Sequence, residues 1–413
     1  MTATLAGQAG AASRRLSLAA LLLGVFTVSA SFGLVLPLAP QLVRSAGAGD
    51  TAMHAGALTA LYMLAIALFA PVWGRLSDRR GRRLVLGLGL TGFALSMGAF
   101  ALVQSLPGLY VQRALSGLFA AAVAPVAAAF IADVAPSDQW RAARMAWLNM
   151  SAIAGFVLGP ALSIWASALG AGGAAEAAGV RFAPFGAAAL LAGVAAAWVA
   201  FALPRSLAAR LGRPGLPDED RLLARVLLGL TFAAALIVGV FEVSVSLRSG
   251  RLARISPAEV AAMFAVCSLV MFLAQAVLFS PLVRAARTWR FLVPGFALLS
   301  LALFLGSAAR DFGVALTVVT LIAASAGAVS PTLAYWLSMV AGRKQGAQLG
   351  RQVAAASLGQ AVGSAGGGLL LSRLGGGDPF LWAAALAAAG AIAALLIGPR
   401  LAGLAAPDAA RAG

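Results

Sequence analysis

Long apolar runs, separated by short basic segments, make up most of this chain. A helix that crosses a membrane needs about 20 predominantly apolar residues. In the first half of the sequence, the predicted spans are 16–38, 53–73, 84–104, 106–132, 142–169 and 182–203. In the second half they are 222–247, 257–282, 291–308, 312–339, 352–371 and 379–397. The pattern therefore predicts an all-α membrane protein with twelve transmembrane helices.

The connection 204–221 divides these spans into two six-helix halves, because it is long, holds three prolines and carries the run Asp218, Glu219 and Asp220. We predict an N-terminal bundle at 1–203, a cytoplasmic linker at 204–221 and a C-terminal bundle at 222–413. Small residues are spaced alike in 155–163 and 359–367, in spans five and eleven. This similarity indicates a duplicated unit, as in many secondary transporters. The alternative is ordinary close packing in a chain with 47 glycines.

Basic residues fix the expected orientation. Most of the thirty Lys and Arg residues lie in alternate connections if the N-terminus is cytoplasmic, as the positive-inside rule requires. Both termini are then predicted in the cytoplasm. Arg14 and Arg15 before an apolar run also fit a cleaved signal peptide, but this run continues to residue 38 and is too long for one.

Composition narrows the class of protein. Apolar residues make up 62% of the chain and charged residues 10%, with a mean hydropathy of +0.95. These values exclude a soluble enzyme, a disordered protein and a disulfide scaffold. The net charge of +17 lies in short clusters between apolar stretches, so we expect it to contact the bilayer surface rather than nucleic acid. The chain has a single cysteine, Cys267, and a single histidine, His54, so we expect it to bind no zinc and no cofactor.

Several motifs resemble those of one transporter family. Residues 74–83 read Gly-Arg-Leu-Ser-Asp-Arg-Arg-Gly-Arg-Arg, which is similar to the loop motif of the major facilitator superfamily. The stretch 36–40, the spacing from Arg113 to Gly117, and Gly155, Gly159 and Pro160 resemble motifs of its twelve-span drug:proton antiporters. The pair at 241–242, Phe-Glu, resembles one in bacterial multidrug and quinolone exporters. The resemblance covers the whole chain and implies a location in the bacterial inner membrane.

Two positions depart from that pattern. The stretch 322–331 in span ten has no acidic residue, although such exporters often carry one there. In the second half, Arg284 stands about where the loop motif would place an aspartate. Both departures argue against a doubly cationic substrate.

The resemblance implies that Gly74, Asp78, Arg79, Gly81 and Arg82 form a cytoplasmic gating loop. It would latch the two halves together when the central cavity faces outward. A carboxylate such as Asp78 is stabilised near a helix N-terminus by unpaired amides and by the helix dipole. The alternative is a solvated loop that only sets topology. Asp133 is predicted to join a structural charge cluster near Arg141 and Arg144 rather than to carry protons.

Glu242 and Arg113 are ionisable residues within predicted spans, at similar depths. Such residues are costly in a membrane and mark functional sites by default. Removing a carboxyl group from water favours its protonated form, so Glu242 is a candidate proton carrier that Arg113 tunes. The alternative is a static salt bridge between the two residues that holds the halves together.

Aromatic residues near the middle of the spans predict an apolar substrate cavity. Ser29 and Phe32 share one face of span one, and Tyr62 and Phe156 lie mid-span in spans two and five. Pro160 interrupts the hydrogen bonds of span five and predicts a kink.

These features together predict a proton-coupled exporter of lipophilic small molecules or drugs that works by alternating access, as a monomer. One alternative is an exporter or importer of a single metabolite, such as a siderophore or sugar. A membrane enzyme or receptor would need a catalytic constellation or a sizeable soluble domain, and the sequence has neither.

Overall fold

The computed structural model describes residues 2–47, 51–100, 102–170, 176–204, 218–251, 257–280, 282–308, 311–341, 345–372 and 378–405. The helices of the first half are α1 (Thr2–Ser45), α2 (Thr51–Arg80), α3 (Arg82–Phe100), α4 (Leu106–Ala120), α5 (Val123–Val134), α6 (Asp138–Gly170) and α7 (Glu176–Ala202). Those of the second half are α8 (Asp218–Arg251), α9 (Pro257–Leu278), α10 (Leu292–Ser307), α11 (Phe312–Val340), α12 (Gln345–Ser372) and α13 (Pro379–Ala405). A 3-10 helix, Ala285–Phe291, precedes α10.

The predicted spans are mostly helical, as expected for backbone that must satisfy its own hydrogen bonds in lipid. Within the described residues, nine helical stretches are long and apolar enough to cross a membrane. They lie on α1, α2, α3, α4 with α5, α7, α8, α10, α11 and α13. The other three predicted spans lie on α6, α9 and α12, and α9 contributes the shorter apolar stretch Val266–Leu278.

The fourth predicted span, 106–132, forms two helices instead of one. Helix α4 ends at Ala120 and α5 begins at Val123. Pro125 has no N–H to bond to the carbonyl four residues earlier, which interrupts the helical ladder. The Ala122 N–H donates to the Phe119 carbonyl, 3.1 Å away and three residues back, as in a tighter helical turn.

Several helices extend beyond the predicted spans, and the local sequence explains two of these extensions. Helix α2 continues to Arg80 instead of ending at residue 73, and Gly81 then ends it with a φ of 94°, which favours glycine. Helix α8 begins at Asp218, so the acidic run predicted in the linker forms its first turn. Carboxylates stabilise a helix N-terminus and arginines a C-terminus, which explains both extensions.

The chain forms two compact units. Unit 1 comprises Met1–Val134, Trp147–Gly212 and Arg343–Val353, and unit 2 comprises Ala135–Ala146, Arg213–Gly342 and Ala354–Gly413. Most of each predicted bundle falls in one unit. The beginning of α6, however, belongs to unit 2, and the beginning of α12 belongs to unit 1.

Glycines allow the helices of unit 1 to approach closely. Gly155 of α6 lies against the Phe26 carbonyl of α1, and Gly159 lies against the Ala30 carbonyl one turn further along. At either glycine an added Cβ would overlap this backbone. Helices in lipid associate by packing rather than by the hydrophobic effect, so small residues at the crossing favour association.

The same arrangement occurs in unit 2, between α8 and α12. Gly359 lies against the Phe232 carbonyl, and Gly363 lies against the Leu236 carbonyl. The glycines are shifted by 204 residues from their counterparts in α6 (155 to 359), and the carbonyls by 206 residues (26 to 232). Equivalent helices therefore cross at equivalent positions, which supports the predicted internal repeat.

Candidate functional site

Asp78 connects the end of α2 to the beginning of α12. Its Oδ1 accepts a hydrogen bond from the Gly346 N–H at 2.9 Å, and its Oδ2 accepts one from the Ala347 N–H at 2.8 Å. The first N–H groups of a helix have no partner within it and carry partial positive charge. The Asp78 carboxylate therefore caps α12, which is remote in sequence, and not α3, which follows it.

Two glycines permit this contact. Gly74 of α2 and Gly346 of α12 face each other so closely that a Cβ on either would overlap the backbone of the other. Gly350, one turn further into α12, lies equally close to the Ala70 backbone. Larger side chains at these positions would move the α12 amides out of reach of Asp78.

Arg82 joins three helices at the same end of unit 1. Its Nη2 lies 2.7 Å from Asp78 Oδ1, and its Nε lies 2.8 Å from Asp133 Oδ2 at the end of α5. Its Nη1 donates to Ser77 Oγ at 2.5 Å. Only 3% of Arg82 is exposed, whereas Arg79 is exposed. Asp133 therefore belongs to a charge cluster that includes Arg82 and Asp78.

Three of the four predicted cavity residues form one aromatic stack in unit 1. The Phe32 ring centroid lies 5.3 Å from that of Tyr62 and 5.9 Å from that of Phe156. Tyr62 is buried, whereas 36% of Phe156 is exposed. Ser29 is half-buried on α1, one turn before Phe32. The stack therefore combines a buried end with an accessible one.

Arg113 lies at the buried end of this stack. Its guanidinium carbon is 4.9 Å from the centroid of the Tyr62 ring and 5.9 Å from that of Phe100. Only 2% of the residue is exposed. Aromatic faces attract a cation, particularly where water is excluded, so they stabilise the buried guanidinium.

Glu242 lies in α8 of unit 2 and is partly buried. Its Oε2 accepts a hydrogen bond from Gln360 Nε2 of α12 at 3.2 Å. Gly239, one turn earlier in α8, packs against the Gln360 backbone. The small-residue crossing of α8 and α12 therefore places an amide side chain beside the carboxyl group.

Comparison with known proteins assigns the chain to a family. The model of the Major Facilitator Superfamily matches residues 21–347, which include the Asp78 cap, the aromatic stack and Glu242. The chain belongs to the major facilitator superfamily. It is therefore a membrane transporter and not an enzyme.

Individual superfamily members give the same assignment. The chain is 29% identical over 376 residues to multidrug resistance protein 2 of Bacillus subtilis, covering 88% of this chain and 90% of that protein. It is 43% identical over 129 residues to the class B tetracycline resistance protein of Escherichia coli, covering 31% of this chain and 32% of that protein. The resemblance to drug exporters predicted from the motifs is thus confirmed.

A solved structure confirms the superfamily fold. The human organic anion transporter MFSD10 superposes with a TM-score of 0.76 over 92% of this chain and 99% of that one. The two proteins are 20% identical in sequence, so this match shows the fold alone. The predicted all-α membrane architecture of the major facilitator type is therefore correct.

The glycines of the predicted antiporter motif lie where this transporter needs close helix packing. Gly155 and Gly159 form the crossing of α6 with α1 described above. Pro160 follows them in α6, but its side chain and any kink it causes lie outside the described residues.

Sequence reasoning missed Gln139 at the beginning of α6. Its Oε1 accepts from the Ala285 N–H at 2.6 Å, and its Nε2 donates to the Val283 carbonyl at 2.8 Å and the Ser280 carbonyl at 3.3 Å. All of these residues belong to unit 2. The loop that carries Arg284 in place of an aspartate is therefore held by an amide side chain from α6.

Gln360 was also missed, although the repeat offset points to it. It is shifted by 204 residues from Phe156 (156 to 360), a member of the aromatic stack. The equivalent position is therefore aromatic in unit 1 and polar in unit 2. A polar residue at the second copy of a candidate cavity position is a usable sequence signal.

Proposed function

We propose that this transporter exports lipophilic small molecules or drugs in exchange for protons by alternating access, with Glu242 as the proton carrier. We further propose that it works as a monomer in a bacterial inner membrane with both termini in the cytoplasm. The observation that carries the proposal is the Glu242 carboxyl group, held by Gln360 within an apolar helix. An ionisable side chain is costly to place in a membrane span, so its presence there indicates a function.

Gln360 suits both protonation states of Glu242. Its Nε2 can donate to a charged carboxylate, and its Oε1 can accept from a protonated carboxyl group, because an amide carries a donor and an acceptor. A carrier that alternates between the two states thus retains a partner in each. A side chain that can only donate hydrogen bonds, such as lysine, would favour the charged carboxylate only.

The aromatic stack supports a lipophilic substrate. Phe32, Tyr62 and Phe156 offer apolar faces, with Arg113 behind Tyr62 as a fixed positive charge. Ligand sites of this type combine apolar walls with a few polar groups that orient the ligand. Arg113 disfavours cationic ligands nearby, in agreement with the missing acid in span ten.

The Asp78 cap supports alternating access. It joins residues 268 positions apart in the sequence through hydrogen bonds to backbone amides. Such a contact can form in one facing state and break in the other without refolding any helix. We propose that it closes the cytoplasmic side when the cavity opens outward.

The decisive experiment substitutes Glu242→Gln, which keeps the size of the side chain and removes its exchangeable proton. In inverted vesicles, we expect dye accumulation driven by a pH gradient to fall at least about tenfold. Exchange of labelled for unlabelled dye should persist, because the neutral side chain resembles the protonated state. Accumulation at the wild-type rate would refute the coupling role.

Asp311→Asn is the matched control. Asp311 is an exposed residue that caps α11 through the Val314 N–H at 2.9 Å, and asparagine caps helices equally well. It undergoes the same chemical change away from the proposed site, so accumulation should stay at the wild-type level.

The substrate range separates drug export from transport of one metabolite. Several unrelated neutral or anionic dyes should be accumulated, and a protonophore should abolish the accumulation of each. Transport confined to a single compound would instead favour the alternative function, transport of one specific metabolite.

A further inference from the structure

A small basic pocket opens at the end of unit 1 where α2 turns into α3. Its volume is about 250 Å³, below the range of about 300–1,000 Å³ typical for drug-sized ligands. Three arginines, Arg80, Arg82 and Arg83, line it. The other lining residues are Leu84, Phe130, Pro204 and Gly81, which lies at the turn. The pocket is thus lined by basic and apolar residues.

Two of the three arginines are available for a ligand. Arg82 is paired with Asp78 and Asp133, so its charge is compensated within the protein. The side chains of Arg80 and Arg83 have no ion-pair or hydrogen-bond partner among the residues that the structure describes. None of the residues lining the pocket is acidic. The net positive charge of the lining residues therefore favours binding of an anion.

The beginning of α3 adds backbone donors to this charge. Residues Arg82, Arg83 and Leu84 form its first turn, where N–H groups have no helical partner. No acidic side chain occupies that turn. Arginine pairs and helix N-termini both bind phosphate groups well, the first through forked hydrogen bonds and the second through unpaired amides.

The surroundings of the pocket indicate that the phosphate belongs to a lipid. Leu84 and Leu88, one turn apart on α3, are each 49% exposed. On α7, which packs against α3, Trp198 is 37% and Phe201 89% exposed close to the end of the helix at Ala202. Exposed apolar side chains beside a basic pocket at the end of two spans suit an acyl chain with its headgroup in the pocket.

We propose that Arg80 and Arg83 bind the phosphate of an anionic phospholipid headgroup, with the acyl chains along Leu84 and Leu88. The distribution of arginines places this pocket at the cytoplasmic leaflet, where anionic lipids attract basic residues. The pocket shares Gly81 and Arg82 with the predicted gating loop, but the proposed lipid ligands, Arg80 and Arg83, are not among the residues assigned to that loop. Its occupancy can therefore be measured without any transport assay.

Titration with phosphatidylglycerol, followed by native mass spectrometry of the purified protein, tests the proposal. The wild type should retain one tightly bound lipid, and the Arg80→Gln, Arg83→Gln double variant should bind it about tenfold or more weakly. Arg284→Gln with Arg287→Gln is the matched control, because it removes two exposed arginines from the corresponding loop of unit 2. It should bind as the wild type does.

Three outcomes would overturn the proposal. The first is unchanged lipid binding in the Arg80, Arg83 variant, and the second is equal loss in both double variants, which would mean non-specific charge attraction. The third is binding of inorganic phosphate or glycerol 3-phosphate as tight as that of the lipid, which would make the pocket a site for soluble anions. The Arg80→Lys, Arg83→Lys variant should restore binding in part, which separates charge from misfolding.

Discussion

Asp78 and Arg284 show how a single residue can set the chemistry of a loop. In the first repeat, a carboxylate on α2 receives the amides at the beginning of α12. In the second repeat, Arg284 occupies the corresponding loop, and a guanidinium cannot accept a hydrogen bond. There, the Gln139 side chain of α6 binds the loop backbone: its Nε2 donates to the Val283 carbonyl, and its Oε1 accepts from the Ala285 N–H. The contacts of the two loops are therefore chemically different.

Asp78→Asn should weaken the α12 cap. An asparagine oxygen can replace only one of the two acceptors, and its NH₂ group would then face an N–H donor. The ion pair with Arg82 would also be lost. We expect stability to fall by about 1–3 kcal/mol and dye export to fall with it.

Thermal unfolding in detergent, together with dye accumulation in vesicles, measures both effects of this substitution. Asp311→Asn again provides the same chemical change at an exposed helix start and should alter neither. If Asp78→Asn behaved like this control, the latch would have no energetic role.

At the level of helices, close crossings hold each unit together. The crossing of α1 with α6 and that of α8 with α12 use glycines at corresponding positions. These contacts bring backbone against backbone, so they leave no room for a methyl group. They also determine which side chains meet, because the α8–α12 crossing sets Gln360 beside Glu242.

Gly359→Ala should therefore destabilise the protein by about 1–3 kcal/mol, the usual effect of an overpacked contact. Its Cβ would overlap the Phe232 carbonyl of α8. Gly229→Ala in α8 is the control, because nothing lies within 4 Å of its added Cβ. That variant should be as stable as the wild type or slightly more so, since alanine favours helix more than glycine does. Equal melting temperatures for the two variants would contradict the packing argument.

For the molecule as a whole, the distribution of arginines predicts the direction in which the chain crosses the membrane. Basic residues flank the predicted inner ends of the spans, and the pocket of Arg80 and Arg83 lies at one of those ends. The predicted orientation thus links the proposed export, the proposed gating contact and the proposed lipid site. All three require the α2–α3 turn to face the cytoplasm.

Cysteine labelling tests the orientation, because the chain has only one cysteine to remove. In a Cys267→Ala background, a membrane-impermeant maleimide added to intact cells should label Asp311→Cys. Arg287→Cys should react only after the cells are permeabilised, since the positive-inside rule places it in the cytoplasm. The reverse labelling pattern would invert the proposed topology.

The apolar runs determined the helices and the resemblance of the motifs identified the family, because both are properties of local sequence. A bilayer leaves a long apolar segment few alternatives to a helix. Local pattern was less reliable at helix ends, where the acidic run from Asp218 begins α8 and Pro125 divides the fourth span. There, caps and single prolines outweigh average hydropathy.

Only the tertiary structure decided which remote groups meet. The sequence showed that Asp78 and Glu242 are ionisable, but not that they contact the α12 amides and Gln360. These partners depend on helix crossings that several glycines permit together. The pocket of Arg80 and Arg83 likewise requires Phe130 and Pro204 from elsewhere in the chain. Sequence determines which segments cross the membrane, whereas packing in three dimensions determines the partner of each polar side chain.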